Sequence, residues 1–252
     1  MSRYRLYPTP VQEAVLREHC AHARYVWNLA VEQQAWWAPG RKGGPGFAAQ
    51  CRQLSEARVA SPWLAAGSVI VQQQALRDFD RAMRGFFAGT HRKPGWRKRG
   101  RNEGFRIVAV KPGDVRRLNR RWGQVKVPKI GWVRFRWSRA VPDAKSYRIT
   151  LDRAGRWHVA FAAIPEPVPG PGTGQIVGID RGVKRTLALS DGTTYQAPGP
   201  LSTVRLQRRL ARCQRGSNRR DQARQRLAKI RARDADRRKD WAEKASTTIA
   251  RS

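Results

Sequence analysis

The first chemistry to look for lies in residues 175–192, where three β-branched apolar residues, Ile176, Val177 and Ile179, run up to a single carboxylate, Asp180. A turn at Arg181-Gly182 follows, then an apolar run from Val183 to Leu189 and an Asp191-Gly192 turn. Apolar runs bounded by turn residues read as two antiparallel strands, with Asp-Gly starting a further hairpin. A carboxylate in a buried-strand pattern needs compensation, and a divalent cation is the usual one. Asp is also a common turn residue, so capping the Arg181-Gly182 turn fits the same pattern. A second set of possible ligands, His19, Cys20 and His22, lies together on one predicted helix, without the distant partners a metal site needs. No glycine-rich phosphate loop, Ser-His-Asp arrangement or cysteine nucleophile context is visible.

Charge supplies the stronger signal. The 252 residues carry 52 Lys+Arg against 18 Asp+Glu, a formal net charge of +34. Such self-repulsion points to a polyanion, with nucleic acid as the first expectation. Apolar content of 40% with ten Trp indicates a folded chain. A membrane partner is disfavoured, because there is no run of 18 or more apolar residues and no signal-peptide h-region at the N-terminus. Three separated cysteines, Cys20, Cys51 and Cys213, form no disulfide framework and indicate a reducing cytosol. Residues 91–148 hold 19 Lys+Arg and three acids, interleaved with aromatics. There Val133, Phe135 and Trp137 alternate with Trp132, Arg134 and Arg136, giving one apolar and one basic face. Arginine beside an aromatic on an open sheet suits phosphate contact with base stacking. Ordinary core packing is the plain reading for most single Trp residues.

These residues need elements to hold them. Residues 3–7 read as a strand, and Thr9, Pro10 and Gln12 form a capping box with Pro at N1. Val11, Val15, Tyr25, Val26, Leu29 and Trp36 extend that helix to about Trp37. Residues 40–46 read as a loop and 47–58 as a second helix. Ser61-Pro62 opens a third, with Val69, Leu76, Phe79, Met83 and Phe86 as its core face. Gln72, Gln73, Gln74, Arg77, Arg81 and Arg84 then fall on its other faces. Tyr147, Ile149 and Leu151 should pair with Trp157, Val159 and Phe161 across a turn at 152–155. Residues 165–174, rich in Pro and Gly, read as a stiff linker. Beyond the Asp191 hairpin, 201–215 reads as a helix that Gly216-Ser217-Asn218 breaks. A longer one follows through Ala223, Leu227, Ile230, Trp241 and Ala245. Residues 201–252 carry 17 Lys+Arg against five acids, which suits either a solvated helix pair or a phosphate-facing surface.

Several stretches, in order along nearly the whole chain, resemble the TnpB (OrfB) proteins of bacterial and archaeal insertion sequences. They are residues 4–12 (YRLYPTPVQ), 24–28 (RYVWN), 131–136 (GWVRFR), 177–184 (VGIDRGVK) and 216–220 (GSNRR). That resemblance implies an α+β, multi-domain chain. Its nucleic-acid-binding part would cover residues 1–164: a β-barrel with strands at about 1–8 and 104–164, a helical insertion at about 9–90 and a basic connector at 91–103. After the 165–174 linker, residues 175–252 would begin an incomplete RNase H-like (RuvC-like) α/β nuclease domain. The implied activity is RNA-guided DNA cleavage with Mg2+ or Mn2+, the implied partners are guide RNA and target DNA, and the implied setting is cytoplasmic and nucleoid-associated. Asp180 alone carries over as a catalytic metal ligand. The family's later catalytic Glu and Asp and its zinc ribbon have no counterpart in this sequence, as a C-terminal truncation would leave it. Candidate nucleic-acid contacts are Arg97, Lys98, Arg99, Trp132, Arg134, Arg136, Arg208, Arg212, Arg219 and Arg220. The expectation is a chain that binds nucleic acid and does not cleave DNA by itself. A nuclease-dead RNA-guided DNA-binding protein and a decayed fragment are the alternatives.

Overall fold

A computed structural model describes residues 2–36, 43–164 and 176–250, so the 165–174 linker and part of the 40–46 loop lie outside the described residues. The chain is α+β and divides into two compact units, Met1–Pro165 and Glu166–Ser252.

In the first unit, strand β1 (Ser2–Tyr7) leads into helix α1 (Pro10–Ala35). Thr9 caps that helix as expected: its Oγ1 accepts the Gln12 N–H at 3.3 Å, and the Gln12 side chain accepts the Thr9 N–H at 3.1 Å. Helices α2 (Phe47–Ala60), α3 (Pro62–Ala66) and α4 (Val69–Phe87) follow, then six strands. These are β2 (Gly104–Val108), β3 (Val115–Arg117), β4 (Trp122–Val127), β5 (Gly131–Arg136), β6 (Ser146–Leu151) and β7 (Trp157–Phe161). All neighbours pair antiparallel in the order β2-β6-β7-β1-β5-β4-β3. The first strand of the chain therefore sits mid-sheet. Its N-terminal half pairs with β7 (Arg5 opposite His158) and its C-terminal half with β5 (Leu6 opposite Phe135).

The sheet curls. Three strands separate β6 from β4, which in a flat sheet would set them about 19 Å apart. Yet Tyr147 Oη donates to the Lys126 carbonyl at 2.7 Å. Curling gathers alternate residues of every long strand into one core, where the Tyr4 ring meets Phe135 edge-on at 5.5 Å and Phe161 at 5.6 Å. Truncating a fully buried ring such as Phe135 to Ala costs about 3–5 kcal/mol in such a setting.

Several sequence expectations are corrected. The buried stripe of α1 is Leu16, His19, Cys20, Ala23, Val26, Trp27 and Ala30, whereas Val11, Tyr25 and Trp36 are exposed. Small and polar residues share that face with Leu16, Val26 and Trp27. The helix expected from Ser61 is two helices. Ser61 caps only the five residues of α3, and the chain breaks at Gly67, where a Cβ would lie 2.6 Å from the His22 ring. Val69 is exposed at the start of α4, and Gln72, expected on an outer face, is fully buried. It donates to Leu64 O at 2.9 Å and accepts from Arg58 at 2.5 Å. Strand β7 is buried on both faces rather than alternating, because Arg3 and Arg5 of β1 lie opposite Ala160 and His158.

In the second unit, β8 (Ile179–Asp180), β9 (Leu187–Leu189) and β10 (Thr194–Tyr195) form an antiparallel sheet in the order β10-β9-β8. The Asp191-Gly192 turn forms with Gly192 at φ 87, joining β9 to β10. Both expected apolar strands are shorter than their apolar runs. Ile176 is 96% exposed and Val183 wholly exposed, so these residues are not held in strands. Helices α5 (Val204–Arg212) and α6 (Asn218–Ile249) complete the unit, and Ala223, Leu227 and Ala245 are the buried residues of α6.

Candidate nucleic-acid interface

The cross-strand register of β3, β4 and β5 builds an array that alternation alone did not define. Gln124 of β4 lies between Arg116 of β3 and Arg134 of β5, and Arg134 in turn lies opposite Tyr7 of β1. One step along, Trp122 lies opposite Arg136. Because facing residues share a side of the sheet, these side chains stand together on the solvent face, while Val125, Val133 and Phe135 point into the core. The Trp122 ring has the Arg134 guanidinium at 5.0 Å, Arg136 at 5.5 Å and the Tyr7 ring edge-on at 5.1 Å. Arg116 stacks 4.0 Å over Trp132 and donates twice to Gln124 Oε1, at 3.1 and 2.8 Å. Arg117 stands 5.6 Å from the Trp137 ring. Arg116, Arg134 and Arg136 are exposed on this face and have no carboxylate partner among the described residues, whereas Arg117, opposite Gly123, falls on the other side of the sheet. Held on aromatic faces, the guanidiniums are oriented before any ligand arrives.

Trp132, Arg134 and Arg136 from the candidate set thus converge. Tyr7, Arg116, Trp122 and Gln124 were missed as site residues, and the signal that joins them is strand register. Arg97 packs inward. Its guanidinium lies 3.7 Å over Trp27, and its backbone exchanges two hydrogen bonds with the Asn28 amide at 2.8 and 3.1 Å. Burial lowers its pKa to about 10, with Asp78 opposing that shift. Lys98 and Arg99 are exposed beside it. In the second unit Arg208, Arg212 and Arg219 are exposed, but Arg220 donates to Leu210 O at 2.9 Å and Cys213 O at 3.0 Å. It closes the C-terminal end of α5.

Asp180 pairs across from Ala188 at the edge of its sheet and is exposed, which corrects its place in a buried-strand pattern. The other acids of the unit are engaged elsewhere. Asp191 accepts the Thr193 N–H at 2.7 Å, Asp234 accepts the Leu201 N–H at 3.0 Å, and Asp221, Asp240 and Glu243 pair with Arg224, Lys244 and Lys239. Among the described residues no three His, Cys, Asp or Glu side chains form a group that could hold a metal. The donor set around Asp180 therefore does not fit a two-metal centre, and no catalytic step is assigned to it. His19 and His22 are buried in the helical core, with each Nε2 meeting a backbone carbonyl, Pro128 O at 2.9 Å and Trp63 O at 3.0 Å. Burial pushes the Cys20 thiol up to about 12, which leaves it inert as a ligand.

Comparison with known proteins places this geometry. The OrfB_IS605 family, described as "Probable transposase", matches residues 158–252, and its "Helix-turn-helix domain" matches residues 2–42. Within that match the described residues form strand β1 and the continuous helix α1. Over 264 residues the chain is 31% identical to a Streptomyces pristinaespiralis protein provisionally named RNA-guided DNA endonuclease. Over 258 residues it is 28% identical to InsQ of Escherichia coli (strain K12), which bears the same provisional description. Each match covers 99% of this chain and 63% of the relative, so the chain spans less than two thirds of the length of either. Both ends of the chain thus match models of the OrfB_IS605 transposase family, and nearly its whole length is similar to part of these two relatives.

Proposed function

We propose that this chain is the nucleic-acid-gripping part of an RNA-guided DNA endonuclease of the insertion-sequence type. In this reading the curled sheet is the family's β-barrel, and α1–α4 are the helical insertion. The Arg/Trp face of β3–β5 holds the backbone and unstacked bases of a guide RNA, with target DNA as the second partner. The unit that carries Asp180 is the start of a RuvC-like domain. The observation that carries the reading is the array on the solvent face of β3–β5, where three exposed arginines without carboxylate partners among the described residues, Arg116, Arg134 and Arg136, are oriented on the rings of Trp132 and Trp122. Guanidiniums suit phosphate oxygens, and Trp and Tyr faces suit bases. The relatives' description as RNA-guided DNA endonucleases supports the same assignment.

Divalent ions would supply water activation and leaving-group stabilisation in such a nuclease. Among the described residues Asp180 stands without the further carboxylates this requires, which favours RNA-dependent DNA binding without cleavage by this chain alone. The test has two arms. Single-stranded RNA should bind the purified chain, and Trp122→Ala combined with Arg134→Ala should weaken binding at least about tenfold. Unchanged affinity in that double variant would refute the interface. DNA incubated with the chain, RNA and Mg2+ should stay intact. Robust cleavage that Asp180→Ala abolishes would show that the chain cuts by itself.

A further inference from the structure

A second concentration of arginine lies away from the β3–β5 face, where α4 meets the β2–β6 edge of the sheet. Arg106 of β2 and Arg148 of β6 are directly opposite each other in the ladder, a placement that like charges make unfavourable. A single carboxylate, Asp78 of α4, holds them together. Its Oδ2 takes Arg148 at 2.6 Å and its Oδ1 takes Arg106 at 3.4 Å, while Gln74 Oε1 accepts from Arg106 at 2.6 Å. Arg77 and Arg81, adjacent to Asp78 and one turn beyond it on α4, are both exposed. Arg77 is stacked 3.7 Å over Phe47, and Arg81 has no ion-pair partner among the described residues.

The cluster is not neutralised from within. The buried Nε of Arg106 has no hydrogen-bond partner among the described residues. Burial lowers the Arg106 pKa first. Asp78 opposes that shift, and the nearby charges of Arg81, Arg148 and Arg77 add to it. Arg97 likewise feels Asp78 as a favourable charge and Arg148 as an opposing one. Five arginines thus share a neighbourhood with Asp78; Glu103 also acts on Arg97 but is paired with Arg24, so the two carboxylates do not balance the cluster.

We propose that the α4–β2–β6 arginine cluster is a phosphate seat that takes a backbone phosphate of a bound nucleic-acid strand, with Arg81 and Arg77 as its outer arms. Arg106 and Arg148 form its floor, and Asp78 holds the floor together in the absence of ligand. Phosphate oxygens accept the fork of donors that guanidiniums present, and they supply the negative charge the cluster lacks. The seat rests on the nucleic-acid reading for its source of phosphate, though not for its chemistry.

Calorimetric titration of the full chain with inorganic phosphate at constant ionic strength tests the seat directly. Arg81→Gln, at an exposed position without an ion pair, should weaken phosphate binding by about fivefold or more. Arg153→Gln removes the same charge in the exposed β6–β7 turn and should leave it unchanged. Asp78→Asn, checked for folding by circular dichroism, should tighten it by removing the competing carboxylate. For single-stranded RNA, Arg81→Gln should reduce the slope of log affinity against log salt by about 0.7. Equal weakening by Arg81→Gln and Arg153→Gln would mean a diffuse field and overturn the seat, as would a folded Asp78→Asn chain with weaker phosphate binding. A phosphate response with no change in the RNA slope would overturn the backbone assignment. If Trp122→Ala leaves RNA binding intact while Arg81→Gln still weakens phosphate, the β3–β5 reading fails and the seat stands.

Discussion

At the scale of single residues, Trp122 has the most to lose. Its ring is half-buried against Tyr7 and flanked by two arginines, so it is both a stacking surface and the brace that orients them. Trp122→Ala should cost about 1–3 kcal/mol of RNA binding, the usual worth of one base–aromatic stack. The melting temperature should change far less, because the ring lies outside the core. Fluorescence anisotropy and thermal denaturation on the same preparation separate the two, and a variant that loses stability but keeps affinity would make Trp122 merely structural. Arg220 should behave in the opposite way. Arg220→Ala removes two hydrogen bonds to the last carbonyls of α5 and should cost about 1–2 kcal/mol of stability, seen as reduced helicity by circular dichroism. The sequence marks both residues only as basic or aromatic. A guanidinium satisfies a helix end, stacks on an indole or meets a phosphate with the same donors, so its letter does not say which. Arg97, Arg134 and Arg220 read alike in the sequence and pack in three different ways. What separates them is the partner, and the partner is set by register or by a helix end several residues away.

At the scale of elements, the seam of the curled sheet and the strand beneath it carry the testable load. Tyr147→Phe keeps the buried ring but leaves the Lys126 carbonyl without its donor, at a cost of about 1–2 kcal/mol. For a unit of this size that should lower the midpoint of thermal unfolding by several degrees without changing the fold. No shift would mean that Tyr147 Oη does not brace the curl. Strand β7 also makes stability depend on pH. Burial holds the His158 pKa down at about 4, with Arg3 adding to the effect and Asp152 opposing it. The folded state therefore refuses a proton that the unfolded chain takes up near pH 6.5. Stability is fully present above about 6.5 and is lost as pH falls toward about 4, and His19 and His22, lowered by burial, act in the same direction. Urea unfolding at pH 7 and pH 5 should show the loss, and His158→Gln should flatten it. An unchanged pH slope in that variant would exclude His158 as the source. Locally encoded features were legible here: the Thr9 capping box, the Asp191-Gly192 turn and the β6–β7 hairpin. The inward face of α1 was not, because it is made of Leu16, His19, Cys20, Ala23 and Ala30, whose burial is decided by what packs on them.

At the scale of the whole molecule, the net charge of +34 makes salt act in two opposite directions. For the free protein, added salt screens self-repulsion, so its melting temperature should rise between low and moderate ionic strength. For a complex with RNA, the same salt competes with counterion release. The three exposed arginines of the β3–β5 face alone would give a slope of log affinity against log salt of about −2, and further contacts would steepen it. Weakening of binding while stability rises cannot come from unfolding, so the paired measurement isolates the electrostatic contribution to binding. Replacing Arg116, Arg134 and Arg136 together with Gln should make the slope shallower by about 2 if the β3–β5 face is the main contact. If the slope stays near its original value, binding runs through the basic helices α5 and α6 instead, where Arg208, Arg212 and Arg219 are exposed. A slope near zero in the unmodified chain would mean that its charge is not engaged by phosphate at all, and the nucleic-acid reading would fail with it.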